Sequence, residues 1–131
     1  MKEVLDFLNK AKTFYLATTD GEKAYVRPLG LVIEYNGKLA FSTNNQKPMY
    51  KQMQSHPDVQ ICAYDGEGNT LRISGKFVVV TTEEAQAKAL DLFPNLKNMY
   101  SPGDGLFEIF SLDDASAICT TMSGESKELP L

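Results

Sequence analysis

The sequence predicts a mainly β fold, a small antiparallel barrel with helices on its periphery. Three observations carry this. Apolar and polar residues alternate with period two along most of the chain. The alternating segments are punctuated by hairpin-type turns, of which Asp20-Gly21 and Asn36-Gly37 are the clearest. No regular strand–helix–strand succession is present, which argues against a doubly wound parallel sheet. At 131 residues, one domain spanning 1–131 is expected.

Each element has its own reason. Val4, Leu5, Leu8 and Ala11 recur at helical spacing, so residues 2–11 predict a short amphipathic helix. At Thr13 the period changes, and 13–19 reads as a strand. After the Asp20-Gly21 turn, 25–35 reads as one long strand, with Tyr25, Leu29, Leu31, Ile33 and Tyr35 on one face. Pro28 has no N–H to give a ladder, which places this strand at a sheet edge or bulge. Asn36-Gly37 leads into a strand over 38–43. Residues 44–55 read as a loop entering a helix, capped by Asn44 or Asn45, with Met49, Tyr50 and Met53 as its apolar side. His56-Pro57 ends it, leaving His56 as a surface residue. Strands are expected over 59–65 and 70–80. Thr82 caps a helix over 83–92. Residues 93–105 are irregular, with a short helix near 96–100. Two strands, 106–110 and 115–122, flank a turn at 111–114, and a last short strand lies near 127–129.

Composition excludes several functions. No apolar run approaches the roughly 20 residues of a membrane helix, and the N-terminus carries Glu3 and Asp6 where a signal peptide would be apolar. Two cysteines and one histidine support neither a disulfide framework nor a structural metal site, and they fit a cytoplasmic protein. Net charge is −4, which argues against nucleic-acid binding. The charge is uneven: residues 1–76 hold 10 basic and 8 acidic groups, and residues 77–131 hold 3 and 9. The basic surplus therefore sits in the first part, where it permits a local anion site.

No hydrolytic triad can be assembled, because the single His56 precedes a proline far in sequence from Cys62 and Cys119. Both cysteines fall at strand positions and read as small hydrophobes. The pairs Glu83-Glu84 and Asp113-Asp114 fall where a helix start and a turn favour acids. No glycine-rich phosphate loop is present. The informative stretch is FSTNNQKPMYK, Phe41–Lys51. There a strand end passes through small polar residues into a helix start, an arrangement that suits an anion or, equally, an ordinary helix beginning. Lys47 and Lys51 project from one helical face. Arg27 stands on an apolar strand face and needs a partner, for which phosphate oxygens match the guanidinium fork. Arg72 is a weaker candidate, equally readable as an edge-strand surface charge.

Three blocks in order, FYLATTDGEKAYVRPLGLV, FSTNNQKPMYKQMQSHPDV and LRISGKFVVV, resemble the pyridoxamine 5′-phosphate oxidase-related flavoproteins. The likeness is to the short bacterial members of nitroimidazole-resistance type, over most of residues 1–125. The resemblance implies a split β-barrel that homodimerises and binds FMN at the subunit interface. It matches Arg27, Pro28 and Leu29 to the strand that reaches the FMN phosphate and runs along the flavin ring. Thr43, Asn44 and Asn45 match the polar strand end that lines the flavin and its ribityl chain. Lys47 matches a phosphate-side position, with Lys51 one turn further on. Relatives often carry a lysine or arginine where this chain has Pro48 or Met49, which leaves fewer cations. The chain has no tryptophan and lacks the C-terminal substrate segment of the true oxidases, so vitamin B6 oxidase activity is not expected.

The function implied is an FMN-dependent oxidoreductase that takes hydride from NADH or NADPH and reduces a small organic acceptor. No catalytic acid or base is assigned. The alternative is a module that binds FMN or another phosphorylated ligand without turnover.

Overall fold

The computed structural model describes residues 1–131. Its elements are α1 (Lys2–Ala11), β1 (Phe14–Thr19), β2 (Ala24–Leu29), β3 (Ile33–Tyr35), β4 (Lys38–Asn44), α2 (Pro48–Ser55), β5 (Asp58–Tyr64), β6 (Thr70–Val79), α3 (Glu83–Leu92), a 3₁₀ helix (Pro94–Asn98), β7 (Phe107–Thr120) and β8 (Ser126–Leu129). The strands form one antiparallel sheet in the order β2-β1-β5-β6-β7-β4-β3, with β8 also beside β7. No helix is long and apolar enough to cross a membrane.

The sheet curls around a core that takes residues from six of its strands and from α1 and α2. Phe14, Phe41 and Phe110 are fully or almost fully buried there, with ring centroids 5.8 and 5.6 Å apart along the series. Burying each such ring contributes about 1.5–3 kcal/mol. Val4 and Leu8 of α1, and Met49 and Met53 of α2, close the core from outside the sheet. A second cluster lies beneath α3, where Leu31, Ile33 and Tyr35 meet Ala85, Ala89 and Leu90. The α3 start follows its sequence signal: Thr82 Oγ1 accepts the Ala85 N–H at 3.0 Å and also meets the Tyr35 hydroxyl at 2.7 Å.

The structure corrects five expectations. The strand expected over 25–35 is two strands, β2 and β3, broken at residues 30–32. Across the break Leu31, Val32 and Ile33 are all buried, Val32 in the barrel core and its two neighbours in the cluster beneath α3. Neither Asn44 nor Asn45 caps α2: Lys47 is the capping residue and offers no side-chain bond. The strands expected at 106–110 and 115–122 are one continuous strand, β7, because residues 111–113 stay paired in the sheet and Leu112 packs into the core. Ser111 pairs with Ala40 and Val78, and Asp113 with Lys76. The short helix starts two residues earlier than expected and is 3₁₀. His56 is half-buried rather than on the surface, its ring beneath the β1–β2 turn against Gly21. By contrast, Pro28 lies on an edge strand, as its missing N–H requires.

Candidate functional site

Pro28 and Leu29 at the end of β2, and Ser42 and Thr43 near the end of β4, form one side of a cleft of about 500 Å³. The opposite side is the end of α3 and the 3₁₀ segment, including Leu92, Leu96, Met99 and Tyr100, and Lys47 also lines the space. Among the lining residues Lys47 is the one charged side chain, and no aspartate, glutamate, histidine or cysteine is present. The cleft is thus apolar on its walls and positive overall. Leu92 and Met99 are 59% and 63% exposed, which is expensive unless something apolar packs on them. Thr43 is 5% exposed, and its hydroxyl has no hydrogen-bond partner in the chain. A buried hydroxyl without a partner costs free energy that a ligand oxygen or nitrogen can recover.

Arg27 follows Leu16 and Thr18 onto the inner face of β1–β2, since Leu16 is its register partner. Its Nη1 donates to the Leu16 carbonyl at 3.1 Å and to Thr18 Oγ1 at 2.8 Å, and its Nη2 donates to Gln52 Oε1 at 3.1 Å. All three acceptors are neutral, and Arg27 forms no ion pair. Burial pushes its guanidinium below its ordinary value, with no carboxylate to offset the cost. The group remains charged, so this strand carries a half-buried, uncompensated cation.

The eight residues singled out in the sequence separate into groups. Pro28, Leu29, Thr43 and Lys47 share the cleft. Arg27 lies next to Pro28 in the chain but turns its side chain toward α2. Asn44 and Asn45 act as braces. Asn44 Nδ2 donates to the Tyr100 hydroxyl at 2.9 Å, and Asn45 Nδ2 donates to the Gly105 carbonyl and Glu108 Oε2, each at 2.8 Å. Lys51 is exposed on α2 outside the cleft lining, and neither Lys47 nor Lys51 forms an ion pair. The start of α2 is a weaker anion site than its sequence suggests. Pro48 has no N–H, and the Tyr50 N–H is donated to the Lys47 carbonyl at 3.1 Å. Arg72 lies away from the cleft, exposed on the outer sheet face.

Residues absent from the sequence reading are Thr18, Gln52 and Tyr100. Gln52 had a readable signal: with Met49 and Met53 it forms an i, i+3, i+4 set, which puts its amide on the buried side of α2. Tyr100 had none, because an irregular segment gives no period from which to infer a face.

The fold and cleft place this molecule among the antiparallel split-barrel proteins. Residues 1–113 match the family model for pyridoxamine 5′-phosphate oxidase. A NimC/NimA family protein from Clostridium acetobutylicum is 37% identical, with 100% of this chain and 92% of that chain covered and a TM-score of 0.93. This chain therefore belongs to the pyridoxamine 5′-phosphate oxidase-related family. General Stress Protein 26 from Bacillus anthracis shares the fold at 14% identity, over 98% of this chain and 97% of that one, with a TM-score of 0.74. A pyridoxamine 5′-phosphate oxidase-related, FMN binding protein from Nostoc punctiforme shares it at 15% identity, over 99% and 94%, with a TM-score of 0.70. No curated protein matches the sequence.

Proposed function

We propose that this protein binds FMN and is an oxidoreductase that draws hydride from NADH or NADPH and reduces a small organic acceptor in the cytoplasm. The observation that carries the reading is Arg27, a half-buried cation held only by neutral acceptors. Such a group is stabilised by an anion, and a phosphate monoester supplies two oxygens at the spacing of the guanidinium fork. Lys47 supplies the one charged side chain of the cleft lining itself. The unpartnered Thr43 hydroxyl suits a ribityl hydroxyl or a flavin heteroatom, and Pro28 and Leu29 offer an apolar surface for the ring. The relative from Nostoc punctiforme named for FMN binding supports the choice of cofactor.

When bound, FMN supplies the redox chemistry, accepting hydride and passing electrons on. The chain's own contribution is to bind, orient and exclude water. Leu92, Leu96 and Met99 cover one wall of the cleft with apolar surface. The lining holds no carboxylate or imidazole, and this reading assigns no acid or base to the chain. The free cysteines Cys62 and Cys119 fit a reducing compartment.

A second copy of the chain completes this picture. The outer sheet face presents Pro28, Tyr15, Cys62, Arg72 and Ile118 in one row of register partners, beginning at the cleft rim. Tyr15 and neighbouring Val26 are 50% and 68% exposed. A homodimer formed on this face would border the cleft, which accords with a cofactor shared between protomers.

Titration of the purified protein with FMN, read by flavin fluorescence and the visible spectrum, tests the reading. Saturable binding is expected, and its absence at tens of micromolar overturns the proposal. Anaerobic mixing with NADH and NADPH then separates turnover from simple binding: bleaching of bound flavin supports the oxidoreductase, and flavin that stays oxidised leaves the non-catalytic module. Sedimentation measures the dimer.

A further inference from the structure

Arg27, Thr18 and Gln52 close a three-membered hydrogen-bond ring. Arg27 Nη1 donates to Thr18 Oγ1 at 2.8 Å, Arg27 Nη2 donates to Gln52 Oε1 at 3.1 Å, and Thr18 Oγ1 donates to the same Oε1 at 2.6 Å. The directions are forced. A guanidinium only donates, so the Gln52 atom facing it must be the oxygen. The Thr18 hydroxyl, already accepting from Arg27, must then give its proton to that oxygen. With the bond to the Leu16 carbonyl, three of the five guanidinium N–H groups are committed. Because Oε1 also meets Thr18, it must approach the Nη2 proton on the Nη1 side. The two protons left, on Nε and on the outer side of Nη2, lie along one edge of the planar group and have no partner in the chain. That edge is the side-on fork that takes two oxygens of a phosphate or carboxylate.

We infer that Gln52 is a positioning and selectivity residue: it fixes Arg27 with its free fork turned to a phosphate monoester, and its neutrality leaves the guanidinium charge to that ligand. This rests on the FMN reading above and adds a residue to it. A glutamate fits the same place and accepts the same two bonds. It would also neutralise Arg27, and the phosphate would then have to compete with a carboxylate already in place. The amide is therefore the acceptor that orients without cancelling charge.

Paired titrations with FMN and riboflavin, which differ only in the phosphate, test this. The wild-type chain is expected to prefer FMN. Gln52→Glu is expected to lose about tenfold or more of that preference while its riboflavin affinity holds and its melting temperature does not fall. Gln52→Leu, which removes the acceptor without adding charge, is expected to lose a smaller part and gives a second variant if the first fails to fold. A preference for FMN retained in both variants overturns the inference. So does a parallel loss of FMN and riboflavin affinity, which would make Gln52 a packing residue only. Either result leaves FMN binding by the wild-type chain standing, whereas a wild-type chain that binds no FMN removes both readings.

Discussion

The Asn44 side chain and the Tyr100 hydroxyl, 56 positions apart, meet at 2.9 Å and fasten one wall of the cleft to the strand end opposite it. The Tyr100 ring stacks on Phe107 with centroids 4.6 Å apart and planes 18° apart. The 3₁₀ segment is thus held by one polar and one apolar contact. Tyr100→Phe keeps the stack and deletes the bond. It should cost about 0.5–1.5 kcal/mol in urea unfolding and speed amide exchange in residues 94–100 more than elsewhere.

Removing the Arg27 side chain deletes the half-buried cation. Arg27→Ala is expected to weaken FMN binding by about 1.5–3 kcal/mol, the range for charged hydrogen bonds, with little change for riboflavin. An unchanged FMN dissociation constant would remove Arg27 from the site.

Thr43→Val separates binding from stability. The hydroxyl has no partner in the free protein, so replacing it with a methyl of the same shape should stabilise the fold by about 1 kcal/mol. The same change should weaken flavin binding by a comparable amount. Thermal melts with and without FMN read the two effects, and a variant less stable in both conditions contradicts the assignment.

Gly75 tests the sheet. It lies at the register shift between β6 and β7, where an added Cβ would stand 2.8 Å from the Leu112 Cβ and 3.2 Å from the Asp113 carbonyl oxygen. Gly75→Ala should cost about 1–3 kcal/mol through overpacking, measured by denaturant midpoint.

Acid should loosen the chain beside the cleft. Asp104 accepts N–H bonds from Phe107, Leu106 and Ser101, and these hold its carboxyl below the ordinary value. Its folded value is therefore lower than its unfolded one. The stabilisation is fully present above the usual carboxylate range and is lost as pH falls through the lowered value. Amide exchange at Leu106 and Phe107 should show protection fall only below about pH 4. Asp104→Asn should reduce protection at neutral pH.

Much of this molecule was legible in its sequence because local chemistry decided it. Asn36 and Gly37 adopt positive φ of 51° and 76°, as their turn requires. Thr82 caps α3 where a threonine before two glutamates says it should. The failures share a cause. The alternation Leu29, Leu31, Ile33 passes over Val32, which is buried in the barrel core while Leu31 and Ile33 enter the cluster beneath α3. Residues 111–114 read as a turn, yet Ser111 is paired on both sides, Leu112 and Asp113 pair with β6, and Leu112 packs into the core. Periodicity reports that a face is buried, not against what. In the site, Arg27 was legible as a charge on an apolar face. The bracing roles of Asn44 and Asn45 were not, because their partners lie 56 to 63 positions away.

Strand β7 bears on how the molecule is made. It alone pairs with β4, β6 and β8, so three strands share it as a common neighbour. Until Phe107–Thr120 has been synthesised and docked, β4 and β6 each carry an unpaired edge beside exposed phenylalanines and isoleucines. Such edges are where chains stick to one another. Closing the barrel therefore waits on contacts between distant parts of the chain, which makes folding slow for its size. A nascent or truncated chain lacking β7 should need a chaperone to stay in solution, and substitutions that delay β7 docking should lower yield well before they lower the melting temperature of the finished protein.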